Sequence, residues 1–375
     1  MAPTPSPSAL LSTIRTSCAA LTSRSGIVVD PAAVDRFIES VPQDAWDRTT
    51  GAEAHGVRLP LRFDSAEEEL NLLATLALLN ILSGYRIALH RLTGRGAYST
   101  ILSLVLSSYL SGSSVSSDEP SLLTASGLRA CTPGSLAALA RIETHREAPH
   151  PTLGPAVTVG EKDDEALEIL ELLAGVCTQT GEVLRRERKE TLGAWMSAKL
   201  KETDGDVAKT IHALATTFPA FADASLVDGQ PAFLYKKALW LVTVVALRFQ
   251  KAKDDGERVP FPVPELSKEP LPVFADNVLP SLLIHHSILS LSSSSIPSLA
   301  SLSLSDPSTL TLPSDAATAL RAAAATACAA IVARAQELGR EGWTEQRLDA
   351  YLWGWGKTEE GKSVARVVER GTVYY

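Results

Sequence analysis

Between Asp315 and Leu338 apolar side chains recur at Leu320, Ala324, Cys328, Ile331, Ala335 and Leu338. That spacing places them on one face of an α-helix, with Ser314 or Asp315 as the expected cap and Gly339 as the stop. A helix this long, with an apolar face along its length, must be covered by other elements, and the rest of the chain offers mostly helices. From Asp163 to Arg188 the residues Leu167, Leu170, Leu173, Ala174 and Cys177 fit one helical face, although Gly175 and Gly181 are poor helix formers. Further helices are expected at Leu192–Leu200, Val207–Ala215, Ala232–Gln250 and Thr344–Trp353. Ser65 precedes Glu68 by three residues, a capping-box pattern that opens an apolar run from Leu70 to Leu82. Apolar residues lie all round that run, so it should be buried. The best strand signal is the alternation of Val57, Leu59, Leu61 and Phe63 between Gly56 and Phe63. The fold expected is mainly α, a compact helical domain over residues 9–375 with a few short strands.

Three stretches fall outside this pattern. Met1 to Ser8 is rich in Pro and Ser and reads as a frayed tail, and Ser111 to Pro120 as a Ser-rich loop. Residues 287–314 are low in complexity and carry Pro297, Pro307 and Pro313, the signature of a surface insertion remote from any site. There is no 20–50-residue repeat.

Charge bounds the partners. Lys and Arg number 35 against 43 Asp and Glu, a net charge of −8. An acidic balance argues against a grip on long nucleic acid, whose affinity comes from neutralised phosphates, and leaves a single nucleotide open as ligand. Cys18, Cys131, Cys177 and Cys328 form no C-x-x-C pair, so reduced thiols are expected rather than zinc or disulfides. The apolar run Ala238–Leu247 is sealed by Lys237 and Arg248 and falls short of the roughly 20 residues that span a bilayer. The opening MAPTPSPSALLSTIR lacks the basic start and apolar core of a secretion signal. A soluble, cytoplasmic protein with no membrane partner is expected. P-loop, G-x-G-x-x-G, H-E-x-x-H and G-x-S-x-G motifs are absent. His285 and His286 are adjacent, about 100° apart on a helix, and so do not chelate as a pair.

Three local features could carry chemistry, and each also has a plain structural reading. Phe218-Pro219-Ala220-Phe221-Ala222-Asp223 is an aromatic turn ending in a carboxylate, or a packed corner between helices. Tyr235-Lys236-Lys237 opens a very apolar helix, so one of the two lysines should face inward, or its stem packs while its ammonium reaches water. Phe274-Ala275-Asp276 precedes Leu279-Pro280-Ser281-Leu282-Leu283, and Asp276 could simply cap that helix.

Taken in order, FPAFAD (218–223), LYKKA (234–238), VFADNVLP (273–280), RLDAYLW (347–353) and TVYY (372–375) resemble the queuosine salvage protein family, whose members are queuosine 5′-phosphate N-glycosylase/hydrolases. The block ELNLLATLALLNILSGYRIALHRLTGRGA (69–97) is similar to the N-terminal half of fungal members. The resemblance implies a helical fold like that of helix-hairpin-helix DNA glycosylases. It also implies release of the base queuine from its 5′-monophosphate nucleoside for reinsertion into tRNA; the missing ligand clusters add the expectation of no metal and no organic cofactor. It places the catalytic aspartate on Asp276 and the catalytic lysine on Lys236, with Asp223, Asn71, Tyr235 and Phe274 as substrate-binding residues.

These residue types suit the reaction. Cleavage of a ribosyl C–N bond passes through an oxocarbenium-like transition state, which a carboxylate stabilises or attacks through an activated water. A 7-deazapurine has no ring N7 to protonate, so help for the leaving base must come from hydrogen bonds, from Lys236 or from backbone N–H groups. The turn Thr93-Gly94-Arg95-Gly96 offers phosphate donors or is an interhelical loop. Two departures stand out. Many relatives have Tyr-Arg after F-A-D, where this chain has Asn277-Val278, and many carry H-R-x-R before the final Tyr-Tyr, where Val368 and Glu369 stand here. They leave room for the alternative of a catalytically decayed member that binds a nucleotide or a protein partner. A DNA base-excision glycosylase conflicts with the acidic balance.

Overall fold

A computed structural model describes residues 3–57, 59, 61–112, 121–268, 270–307 and 310–375. Helices make up 59% of the chain and the strands are few and short, so the fold is mainly α. The centre is the helix Lys236–Asp254, whose Leu239, Leu241, Val242, Val244 and Val245 are all buried. Ala66–Leu78 and Val207–Thr217 pack against it, and Leu192–Glu202 closes over Ala66–Leu78. That last contact needs Gly193: a Cβ there would stand 2.5 Å from the Cβ of Asn71. The Ser314–Glu337 helix packs on Leu10–Arg24. It is long and apolar enough to cross a membrane, but 72% of its most apolar window is buried inside the protein, as in a core helix.

The boundaries follow local chemistry. Ser65 Oγ accepts the Glu68 amide at 3.1 Å, while the Glu68 carboxylate reaches back to the amide of Asp64 rather than of Ser65. Asp163 caps Asp164–Arg186 by accepting the Ala166 amide. Gly339, with φ +74°, stops the long alanine-rich helix as expected, but neither Ser314 nor Asp315 caps it: Pro313 holds that position.

Three two-stranded antiparallel sheets complete the description: Val28–Val29 with Leu289–Ser290, His145–His150 with Gly154–Lys162, and Ala224–Val227 with Gln230–Phe233. The last hairpin takes the first residues of the expected 232–250 helix, which begins only at Lys236, after Tyr235 in the left-handed region at φ 47°. The expected strand between Gly56 and Phe63 does not form among its described residues. Val57 is buried and Leu59, Leu61 and Phe63 lie against the core, but no neighbouring strand pairs with them. Of the expected Ser111–Pro120 loop, residues 113–120 lie outside those described; Ser111 still belongs to the helix Ala97–Gly112.

Two expected loose ends are tied down. Pro7–Ala9 forms a 3₁₀ turn, and the Pro5 carbonyl lies 2.9 Å from His212 Nδ1. Within 287–314, Ile288, Leu289, Leu299 and Leu312 are buried, and the Ser294 hydroxyl and Ser295 amide donate to the Ser25 carbonyl. Its serines satisfy backbone groups while its leucines fill the core, so the stretch is woven into the fold rather than laid on its surface.

Candidate active site

The 273–276 segment approaches the Lys236–Asp254 helix from the side, and two carboxylates of the Glu345–Trp355 helix hold it there. Glu345 accepts the Val273 amide at 3.3 Å and, one turn on, Asp349 accepts the Phe274 amide at 3.0 Å. Asp276 follows. Its Oδ1 accepts the Val278 amide at 2.7 Å, so it does support the start of the Val278–His285 helix. Its other oxygen, Oδ2, stands 3.7 Å from the Lys236 ammonium, which also donates to Asn80 Oδ1 at 3.4 Å.

Asp276, Lys236 and Asp349 together line a cavity of about 980 Å³. Phe274, Trp240, Tyr98 and Trp353 give it aromatic walls, with Tyr98 and Trp353 edge to face at 5.5 Å. Such a mixture of apolar wall and a few convergent polar groups is what small-molecule sites have in common. His55 adds a neutral imidazole, since burial pushes its pKa down to about 4. Burial also lowers the Lys236 ammonium from its ordinary value, with Asp276 opposing. Asp349 is moved the other way: burial first, then the charge of Asp276, hold its carboxyl well above the usual carboxylate range, against the Phe274 amide and Lys236. The cavity therefore presents a lysine and two carboxyls, one of which burial biases toward its protonated form.

Of the two lysines, Lys236 faces the cavity. Lys237 turns into the protein, donating to the carbonyls of Leu78 at 2.8 Å and Val373 at 2.7 Å. Of the residues assigned to substrate binding, only Phe274 is on the cavity wall. Asp223 lies behind it, 2% exposed, in a bidentate pair with Arg321 at 3.1 and 2.6 Å, and it also accepts the Lys236 amide at 3.1 Å. Asn71 is a clamp between segments, donating to the Leu123 carbonyl and accepting the Gly193 amide, both at 2.9 Å. Tyr235 stacks on Phe233 with centroids 6.0 Å apart. The Thr93–Gly96 turn contributes only Gly96 to the wall, and Arg95 donates instead to Ser103.

The departures from the family pattern have structural work here. Asn277 Nδ2 donates to the carbonyls of Ser83 and Val367, tying the cavity rim to the closing segment. Glu369 accepts the Tyr375 hydroxyl at 2.5 Å, and Val368 bonds the 310–312 backbone. The sequence reading missed Asp349, although it stands in RLDAYLW, and missed His55, Asn80, Arg86 and Tyr98 from the N-terminal half. An acid between Leu348 and Ala350, in the apolar second half of its helix, is a signal for Asp349; nothing local marks the others.

A helical frame around an aromatic cavity, with two aspartates and a lysine converging in it, defines a small-molecule site equipped for proton and charge chemistry. The family profile described as Queuosine salvage protein matches residues 156–375, and the chain belongs to that family. No curated protein matches the chain. The matched part carries Lys236, Asp276 and Asp349, while residues 54–99 supply the facing wall from outside it.

Proposed function

We propose that the protein hydrolyses the N-glycosidic bond of queuosine 5′-monophosphate, releasing queuine and ribose 5-phosphate. What supports this most is the convergence of Asp276, Lys236 and Asp349 in one aromatic cavity of a queuosine salvage protein. The free oxygen of Asp276 is the group to stabilise positive charge on the ribose as C1′–N9 breaks, or to orient the water that attacks C1′. Water supplies hydroxide to C1′ and a proton to the base. Asp349, whose carboxyl burial biases toward the protonated form, and the Lys236 ammonium are the donors available to the departing base, whose negative charge grows as the bond lengthens. The aromatic walls take the flat base.

Incubating the purified protein with queuosine 5′-monophosphate and separating the products by chromatography tests the reading. Free queuine should appear with turnover. Intact substrate, bound but unchanged, would sink the hydrolase reading in favour of the decayed, nucleotide-binding alternative.

A further inference from the structure

A second pocket, of about 320 Å³, shares no lining residue with the cavity and plays no part in the proposed reaction. One side of it is the start of the Ser314–Glu337 helix, the other the chain from Glu369 to Tyr374. Ser314, Thr318 and Arg321 follow at i, i+4 and i+7, so this alanine-rich helix turns one polar stripe toward the pocket. Thr318 is the group that asks for a ligand. It is 2% exposed, yet among the described residues nothing is hydrogen-bonded to its hydroxyl. Thr326, further along the same helix, shows the ordinary arrangement and donates to the Ala322 carbonyl at 2.9 Å. A buried hydroxyl without a partner is costly, and the open side of this one is the pocket.

The groups around Thr318 are mostly donors. Pro313 stands at the N-cap position, so no side chain caps the helix; among its first amides only that of Ala316 is answered by a side chain, Asp315, at 2.8 Å. Arg321 spends Nε on the Ala275 carbonyl and one N–H of each Nη on Asp223, which leaves the second N–H of each. Ser225 adds a further hydroxyl. Charge is already matched: Arg321 by Asp223, and Arg370 by Glu165 at 2.6 Å, while Glu369 accepts the Tyr375 hydroxyl. The pocket therefore wants acceptor oxygens rather than a counter-ion. A tetrahedral oxyanion carries several on one small centre, and hydroxyls beside an uncapped helix start hold such a group through dipoles. A cation would meet donors, and a neutral polyol brings a donor with every acceptor.

We propose that this pocket is a second binding site, for a small oxyanion of the phosphate or sulfate class, held by the Ser314 and Thr318 hydroxyls, the open helix start and the spare N–H groups of Arg321. The site stands whether or not the protein is a hydrolase. Calorimetry with inorganic phosphate on the wild type, Thr318→Val and Thr318→Ser tests it. Valine keeps the shape and removes a hydroxyl that has no partner in the protein, so the unfolding midpoint without phosphate should not fall. A hydrogen bond to a charged group is worth about tenfold or more in affinity. One phosphate-binding event should therefore weaken by about that factor in Thr318→Val and persist in Thr318→Ser. Phosphate taken up by the cavity is common to all three proteins, so only the difference between them reads this pocket. Sulfate should compete for the same event, and ribose should not. Identical isotherms in the three proteins overturn the site. Ribose binding that Thr318→Val abolishes, with phosphate binding unchanged, overturns the oxyanion in favour of a polyol. A Thr318→Val protein that unfolds earlier without phosphate shows that the hydroxyl is bonded within the fold, and overturns the proposal as well.

Discussion

Two carboxylate–cation pairs meet at Lys236, and they are built to opposite specifications. Asp223 and Arg321 form a closed pair: 2% and 3% exposed and bidentate, with Asp223 also accepting the Lys236 amide and Arg321 also donating to the Ala275 carbonyl. Asp276 and the Lys236 ammonium form an open one, 3.7 Å apart beside a cavity. A buried, bidentate pair tied to the neighbouring backbone is framework, because removing either partner strands a charge. A pair left wide at the edge of a cavity has capacity for a third party. A carboxylate and a cation thus hold the site in one place and, in the proposed reaction, perform its chemistry in the other.

Substitutions should separate the two pairs. The largest effect is expected at Asp276. Asp276→Asn keeps an oxygen for the Val278 amide and loses the charge, so kcat should fall by about 10²–10⁴ while the unfolding midpoint barely moves. Single-turnover release of queuine measures it, and a rate within a few-fold of wild type removes Asp276 from the mechanism. Asp223→Ala should do the reverse. It strands Arg321 and should cost about 3–5 kcal/mol in denaturant unfolding; a stable variant with a raised KM would return Asp223 to the substrate.

The smallest effect concerns Asp349 and its proton. Because its folded pKa lies above the unfolded value, the native state holds a proton that the unfolded chain gives up at higher pH. The contribution to stability is therefore complete below the ordinary value of about 4 and declines as pH rises toward the folded value, by at most about 1.4 kcal/mol per unit. Asp349→Asn keeps an acceptor for the Phe274 amide and cannot ionise, so its stability relative to wild type should improve from about pH 5 to about pH 8. Urea midpoints of both proteins at the two pH values read this directly, and a constant difference would show that Asp349 ionises as freely as an exposed carboxylate.

Much of the frame was legible in the chain, and the reasons are local. The long helices announced themselves by period, and the alanine-rich one by its stop at Gly339. Their motifs singled out Lys236 and Asp276, and both line the cavity. Asp223 was misplaced because a framework carboxylate and a cavity carboxylate look alike until the partner is known, and Arg321 lies 98 residues away. The His145–His150 and Gly154–Lys162 hairpin escaped notice because most of its residues are exposed, so no apolar alternation marks it. The facing wall of the cavity comes from separate turns and helices that only the tertiary packing brings to Asp276.

Arg321 reaches further than its own ion pair. One guanidinium binds the carboxylate under Lys236 and the carbonyl immediately before Asp276, from the first half of the long core helix Ser314–Glu337. Lysine and aspartate are thereby fixed to a common anchor in the core, not to a loop that could breathe on its own. Such a site has no private route to disorder: local opening of the reacting groups requires the core helix to let go. Loss of activity on warming would then track loss of the fold itself, and variation elsewhere in that helix, far from any ligand, would be felt in turnover as well as in stability.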